Sequence, residues 1–355
     1  MSKFLILIIC TVFFLLVSVS HYAEAEEFRI FDKDSCEKLW GVWNAPNSCF
    51  FNVEKIQAGN TLEISSDIII KINKTINNNG HIINYGKIIN EINGILINHE
   101  GGEITNDDNG IISIRGAILN SKGGIINNNF GGQFFNANGG NFVNNGGFFE
   151  NQGEILNDYG SIFLNGKEGI FVNKKTGMFV NGINYNAIGT GFALFGNQGD
   201  VINYEGGKII NNRDGVISTD QESIILNNKG GSIINKNGGT IKNWGEMQNE
   251  SIIFNDGGEI HNKINETSLE KAIITIKKGG MIFNNKGIIY NWSAIINNEN
   301  GGLFFNNDGA SVSNISGTIN NLANFFNDCG GVIIDQGSIN QTAVDIPCDK
   351  SNKHS

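Results

Sequence analysis

The stretch Gly239-Thr240-Ile241-Lys242-Asn243-Trp244-Gly245-Glu246-Met247-Gln248-Asn249-Glu250-Ser251-Ile252-Ile253-Phe254-Asn255 decides the fold. It holds three copies of one pentad: a small residue, any residue, an apolar residue, any residue, then Asn. The same pentad stands at Gly102–Asn106, Gly207–Asn211, Gly258–Asn262 and Gly302–Asn306, with variants at Ala323–Asn327 and Gly331–Asp335. About 35 copies fit between Lys74 and Gln341, usually about 8 residues apart and sometimes about 6 or 7, so a repeat architecture is read before anything else. In an extended strand the residues at i, i+2 and i+4 share a face. The small residue, the apolar residue and Asn therefore point inward together, and the two between them point out.

Strands this short must bend at once. Asn tolerates the left-handed region and bonds backbone groups at a bend, and Gly permits positive φ. Hairpins could use the same chemistry, but their strands are typically longer and paired to a neighbour in sequence. Short units separated by bends suit the sides of a solenoid, each paired with the equivalent side one coil away. The expected fold is all-β: a parallel β-helix of three sides per coil, with two sides as the alternative. Three sides give about 22 residues per coil, about 12 coils and a stack roughly 55–60 Å long at the spacing between strands. Asn106, Asn211, Asn235, Asn243, Asn262 and Asn306 are expected to form ladders, each amide bonding those above and below. Buried polar groups are otherwise costly.

Composition agrees with this reading. The chain has 355 residues, 47 Gly, 58 Asn and only 2 Pro, and its formal net charge is −10. Asn and Gly disfavour helices, scarce Pro without a Gly-X-Y period excludes collagen, and 24 Phe require a buried core. An acidic chain without Lys/Arg clusters argues against nucleic acid as a partner.

Residues 1–25 read as a secretory signal. Lys3 precedes the apolar run Phe4–Val19, and Ala23-Glu24-Ala25 matches a cleavage site, placing the mature start near Glu26. The apolar run is short for a membrane span, so no integral span is expected after cleavage, and the expected location is secreted or cell-surface. Cys10 lies in the signal. The four remaining cysteines suit disulfides in an exported chain, with Cys36–Cys49 and Cys329–Cys348 as the expected pairs. A zinc site is the alternative, although spacings of 12 and 18 intervening residues match no usual ligand pair.

The expected organisation is a signal at 1–25, a cap with the first strands at 26–72, solenoid repeats at 73–341 and a tail at 342–355. Two interruptions, 182–198 and 263–271, break the repeat. Loops leaving a solenoid side often carry binding function, and divergent coils are the plainer reading.

Catalytic chemistry finds little support. Polysaccharide-cleaving β-helices need clustered carboxylates, or carboxylates with cations, whereas Asp107, Asp108, Asp200, Asp214, Asp256 and Asp308 scatter over bends. His81 and His261 fall on outward positions, and His99 follows an Asn corner. The Gly-Gly doublets make neither a calcium nonapeptide nor a phosphate loop. No catalytic residue, metal ligand or cofactor is expected. Asn73, Asn265 and Asn340 are candidate glycosylation acceptors. Asn249, Asn291 and Asn314 also match the acceptor motif, but they are corner residues of the pentad. Outward positions are often apolar, as at Ile210, Ile234, Tyr290, Ile296, Phe305 and Phe326. They suggest either a covered side or a surface for self-association, glycans or other surface proteins.

The repeated Gly-x-Ile-x-Asn string resembles the secreted Gly/Asn-rich β-solenoids of microbial surfaces, including adhesin and autotransporter passengers and archaeal surface proteins. The leader Asp34-Ser35-Cys36-Glu37-Lys38-Leu39-Trp40-Gly41-Val42-Trp43-Asn44, followed by Ser48-Cys49, is similar to a small cap preceding such repeats in archaeal exported proteins. The resemblance implies a non-enzymatic structural or adhesion role at a surface and transfers no catalytic residue. A carbohydrate-active β-helix enzyme and a subunit of an extracellular fibre are the alternatives.

Overall fold

A computed structural model describes residues 25–183, 192–236, 238–264, 271–340 and 344–345. The described chain winds into about 13 turns of parallel β-solenoid, three strands to a turn. One turn runs Ile95–Asn98, Glu103–Asn106, Ile111–Ile114, and the next runs Ala117–Ser121, Ile125–Asn128, Gln133–Asn136. Each strand pairs in parallel with its equivalent one turn on, for example Ile104 with Ile126 and Asn106 with Asn128. The three strands of a turn thus build three faces, called here first, second and third in chain order.

Local sequence explains the winding. In Glu103–Asn106 the burial alternates, with Ile104 and Asn106 inside and Glu103 and Thr105 outside. Gly102 begins the pattern on the inner side, and a Cβ there would lie 2.5 Å from both the Asn78 carbonyl and Asn98 Oδ1. Gly101 before it takes φ 75°. The doublet therefore does two jobs: the first Gly turns the chain, and the second lets one corner nest under another. Ile296 corrects the sequence reading. It is buried and faces the core, because Asn298, not Asn297, is the corner residue of its strand.

The core is one column of apolar side chains along the axis. Its middle is aromatic: Phe134, Phe142, Phe149, Phe163, Phe171, Phe179 and Phe195 are all fully buried and touch ring to ring.

Three Asn ladders line the inner corners. On the second face Asn84 Nδ2 donates to Asn106 Oδ1 at 2.7 Å, and Asn106 Nδ2 donates to Asn128 Oδ1 at 2.8 Å. On the third face the run passes through Asn211, Asn235 and Asn306, with 2.9 Å from Asn211 to Asn235. On the first face Asn243 donates to Asn262 at 2.9 Å. Within these ladders Nδ2 always donates toward the C-terminal neighbour. Direction has a consequence at breaks. Among the described residues, five ladder amides keep a buried Oδ1 without a donor: Asn84, Asn90, Asn136, Asn243 and Asn298. In each case the preceding turn puts Ile64, Ile72, Ile114, Thr219 or Ile276 in the place of the donor. Asn84, Asn136, Asn243 and Asn298 each begin a run, and Asn90 stands alone, with Ile114 opposite it on the following turn.

Thr219 is the break most easily closed. Its own hydroxyl is buried without a partner, as is Asn243 Oδ1. Thr219→Asn supplies an acceptor for Asn197 and a donor for Asn243. The expected gain is about 1–2 kcal/mol, seen as a higher urea midpoint at unchanged slope.

Both interruptions appear as longer turns. Successive ladder Asn are 22 residues apart at Asn106 and Asn128. They are 32 apart between Asn165 and Asn197, and 29 apart between Asn262 and Asn291. The Asn ladder continues across both. Residues 184–191 and 265–270, with Asn265, lie outside the described residues.

At the N-terminal end Glu27–Ile30 already pairs in parallel with Thr61–Ile64. The helix Lys33–Lys38 follows, with Asp32 as its N-cap. The hairpin Val42–Asn44 with Ser48–Phe50 comes next. Cys36 and Cys49 form a disulfide and are both fully buried. It ties the helix to the hairpin. Cys36→Ala/Cys49→Ala is expected to cost about 3 kcal/mol in this end unit, given a short closed loop. Hydrogen exchange that rises at residues 27–56 and leaves the middle turns protected is the check. Cys329 is disulfide-bonded, and its expected partner Cys348 lies outside the described residues.

Candidate functional surface

With the inner side chains committed to packing and ladders, chemistry is left to the outer positions. The third face carries a column of apolar residues in one register. It runs from Phe135 opposite Leu156, through Ile210 opposite Ile234, to Phe326 opposite Val344. Near its C-terminal end Phe283 and Phe305 stack at 4.9 Å, and Phe305 and Phe326 stack at 5.1 Å. Inward rings in these strands are buried, whereas these outer ones are partly exposed.

The first face holds a polar and aromatic group. Glu259 and His261 stand 2.7 Å apart, Oε2 to Nε2. His261 lies against Tyr290 with ring centres 4.8 Å apart, and the Lys263 ammonium sits 5.0 Å from the Trp292 ring. The sequence reading marked His261 and Tyr290 as outward but missed their contact. The parallel pairing sets it, by placing His261 opposite Tyr290.

The second face bears an open groove of about 610 Å³. Outer positions of three successive strands make it. Phe148 stands opposite Ile170 and Glu150 opposite Val172, and Val172 is in turn opposite Ile202. Its edge comes from the corners that follow those strands, where Gln152, Lys174 and Tyr204 stand. Glu150 pairs with Lys174 at 2.6 Å and accepts from Gln152 Nε2 at 2.7 Å. The sequence reading did not single out this site. Only the outward apolar positions hinted at it, because the corner residues stand outside the pentad.

Perturbed ionisations lie elsewhere. Burial raises the Tyr159 phenol, whose hydroxyl donates to the Arg213 carbonyl at 3.1 Å. Lys122 and Glu168 bond at 2.8 Å, which raises the lysine and lowers the glutamate. The backbone N–H of Ser35, then its hydroxyl, lower Asp32. Among the described residues no group of three or more His, Cys, Asp and Glu could hold a metal ion. No helix among them is long and apolar enough to cross a membrane.

The glycosylation motifs sort by burial. Asn249, Asn291 and Asn314 are fully buried in the ladders, where a glycan has no room. Asn73 and Asn340 are exposed.

Fold and surface together define a protein of the parallel β-solenoid class. No family model matches the chain, and no curated protein matches it. Among solved structures it is similar to the TibC-catalysed, hyper-glycosylated TibA55-350 fragment. That likeness has 16% identity and a TM-score of 0.39, and covers 91% of this chain and 99% of that one.

Proposed function

We propose that this chain is a non-enzymatic structural and adhesion protein, exported and displayed at the cell surface. The observation that carries the reading is the outer apolar column of the third face, which reaches the surface continuously from Ile210 to Val344, whereas Leu156 and Val180 in the same register are buried. Contiguous apolar surface of this kind marks a contact site. The Cys36–Cys49 disulfide suits an oxidising compartment, and the apolar leader at 4–19 suits export. The test is to express the full chain in a host that secretes it and to sequence the N-terminus of the mature form. A start near Glu26, oxidised Cys36 and Cys49, and cleavage by protease added to intact cells are the expected results. Cytoplasmic retention with free thiols overturns the export. Release of new sugar ends from a polysaccharide panel overturns the non-enzymatic part and favours a carbohydrate-active enzyme.

A further inference from the structure

The groove on the second face has the layout of a sugar site. Its floor is apolar, from Phe148, Ile170 and Ile202, with Val172 almost fully buried between them at 5% exposure. One wall is the Tyr204 ring, 43% exposed. The rim is polar and balanced: Glu150 and Glu205 against Lys174 and Lys175. A volume of about 610 Å³ falls within the range of small-ligand pockets, which pair an apolar lining with a few placed polar groups.

Those features select among ligand classes. A phosphate or a polyanion would meet two carboxylates at the rim, and Lys174 is already paired with one of them, Glu150. A purely apolar ligand would desolvate four charges and return no hydrogen bonds. A pyranose has both surfaces the groove asks for. One side of its ring is C–H and rests on an aromatic or aliphatic wall. Its edge is a row of hydroxyls, which donate to carboxylate oxygens and accept from an ammonium or amide. Glu150 is already oriented by Lys174 at 2.6 Å and by Gln152 at 2.7 Å. That carboxylate therefore enters a contact with its rotamer largely set, which lowers the ordering cost of binding.

We infer that this groove binds a short neutral oligosaccharide, with Tyr204 stacked on one ring and Glu150 with Lys174 bonding its hydroxyls. The inference rests on the adhesion reading above and names a ligand class and site for it.

The test is calorimetric titration of the purified mature chain with cellohexaose, mannohexaose and chitohexaose. Saturable binding of at least one is expected. Tyr204→Ala is expected to weaken it about thirtyfold, as for an aromatic hot spot, and Glu150→Gln about tenfold, for one charged hydrogen-bond acceptor. Both side chains are at the surface of the stack, and unchanged circular dichroism shows the variants folded. His261→Ala, on another face, is expected to bind like the parent. Absence of saturable binding to all three sugars, or Tyr204→Ala and Glu150→Gln binding like the parent, overturns the inference. Export and surface display are read separately, so sugar binding by a chain that stays in the cytoplasm defeats the surface reading alone. Surface display without sugar binding defeats the groove alone.

Discussion

Asn211→Asp is expected to destabilise the protein more than Asn211→Ala, although Asp keeps the shape of the side chain. Asn211 accepts from Asn181 Nδ2 at 2.9 Å. Its own Nδ2 lies 2.9 Å from Asn235 Oδ1, 3.0 Å from the Gly215 carbonyl and 3.2 Å from the Thr240 carbonyl. Ala removes these bonds and leaves Asn235 Oδ1 without a donor, a loss of about 3 kcal/mol. Asp retains the acceptor but turns a second bare oxygen toward three oxygens, with a charge that has left water. More than about 4 kcal/mol is expected. Acidity separates the two variants. A carboxyl buried among acceptors has its folded pKa above its unfolded one, so the folded state binds the proton more tightly. The Asp penalty therefore shrinks as pH falls through that raised pKa, and the Ala penalty does not. Urea unfolding at neutral pH and at about pH 4, near the ordinary carboxylate range, is the measurement. Equal penalties for both variants at both pH values would show that the ladder direction is energetically irrelevant.

Phe163→Ala is the second large effect. Phe163 stacks on Phe142 with centres 4.5 Å apart, and meets Phe179 at 5.1 Å, Phe171 at 5.5 Å, Phe195 at 5.6 Å and Phe149 at 5.8 Å. Truncation opens a cavity that rigid neighbouring turns fill poorly, costing about 3–5 kcal/mol. Phe254→Ala, on the outer column, is expected to cost less than about 1 kcal/mol, because its ring already meets water in part. Since each turn contacts only its neighbours, the damage falls in the middle of the stack and divides it. A second unfolding step in urea, with near-ultraviolet dichroism lost in the first, is the expected signature. A single transition at the parent midpoint would exclude this account.

Much of the fold was legible because the pentad states the inside and the outside directly. Asn106, Asn211, Asn243 and Asn306 could be placed at corners from spacing alone, and they stand fully buried there. What stayed hidden depends on neighbours one turn away. An Ile-Ile-Asn-Asn string offers two registers, and Ile296 went to the core because Ala294 and Asn298 took the corner positions. Thr219 and Ile276 stand where an Asn would, and their cost shows only when the next Asn is found without a donor. The groove was least legible. Tyr204 and Lys174 come from bends in successive turns, and the winding, not the pentad, makes them adjacent.

The one-way ladders also give the molecule an electrical polarity. On the third face nine amides, from Asn136 to Asn327, point their N–H groups the same way and finish on Asp345 Oδ1 at 3.1 Å. On the first face the run from Asn243 finishes on Asp335 Oδ1 at 2.7 Å. Aligned side-chain dipoles add as aligned peptide dipoles do in a helix, where the end with exposed N–H groups favours an anion. Here that end is the C-terminal one, and both runs close there on a carboxylate in place of another amide. An acid at this place accepts the last hydrogen bond, asks for none in return and puts a negative charge at the positive pole of the column. In this way a side-chain stack reproduces the logic of an acidic helix cap.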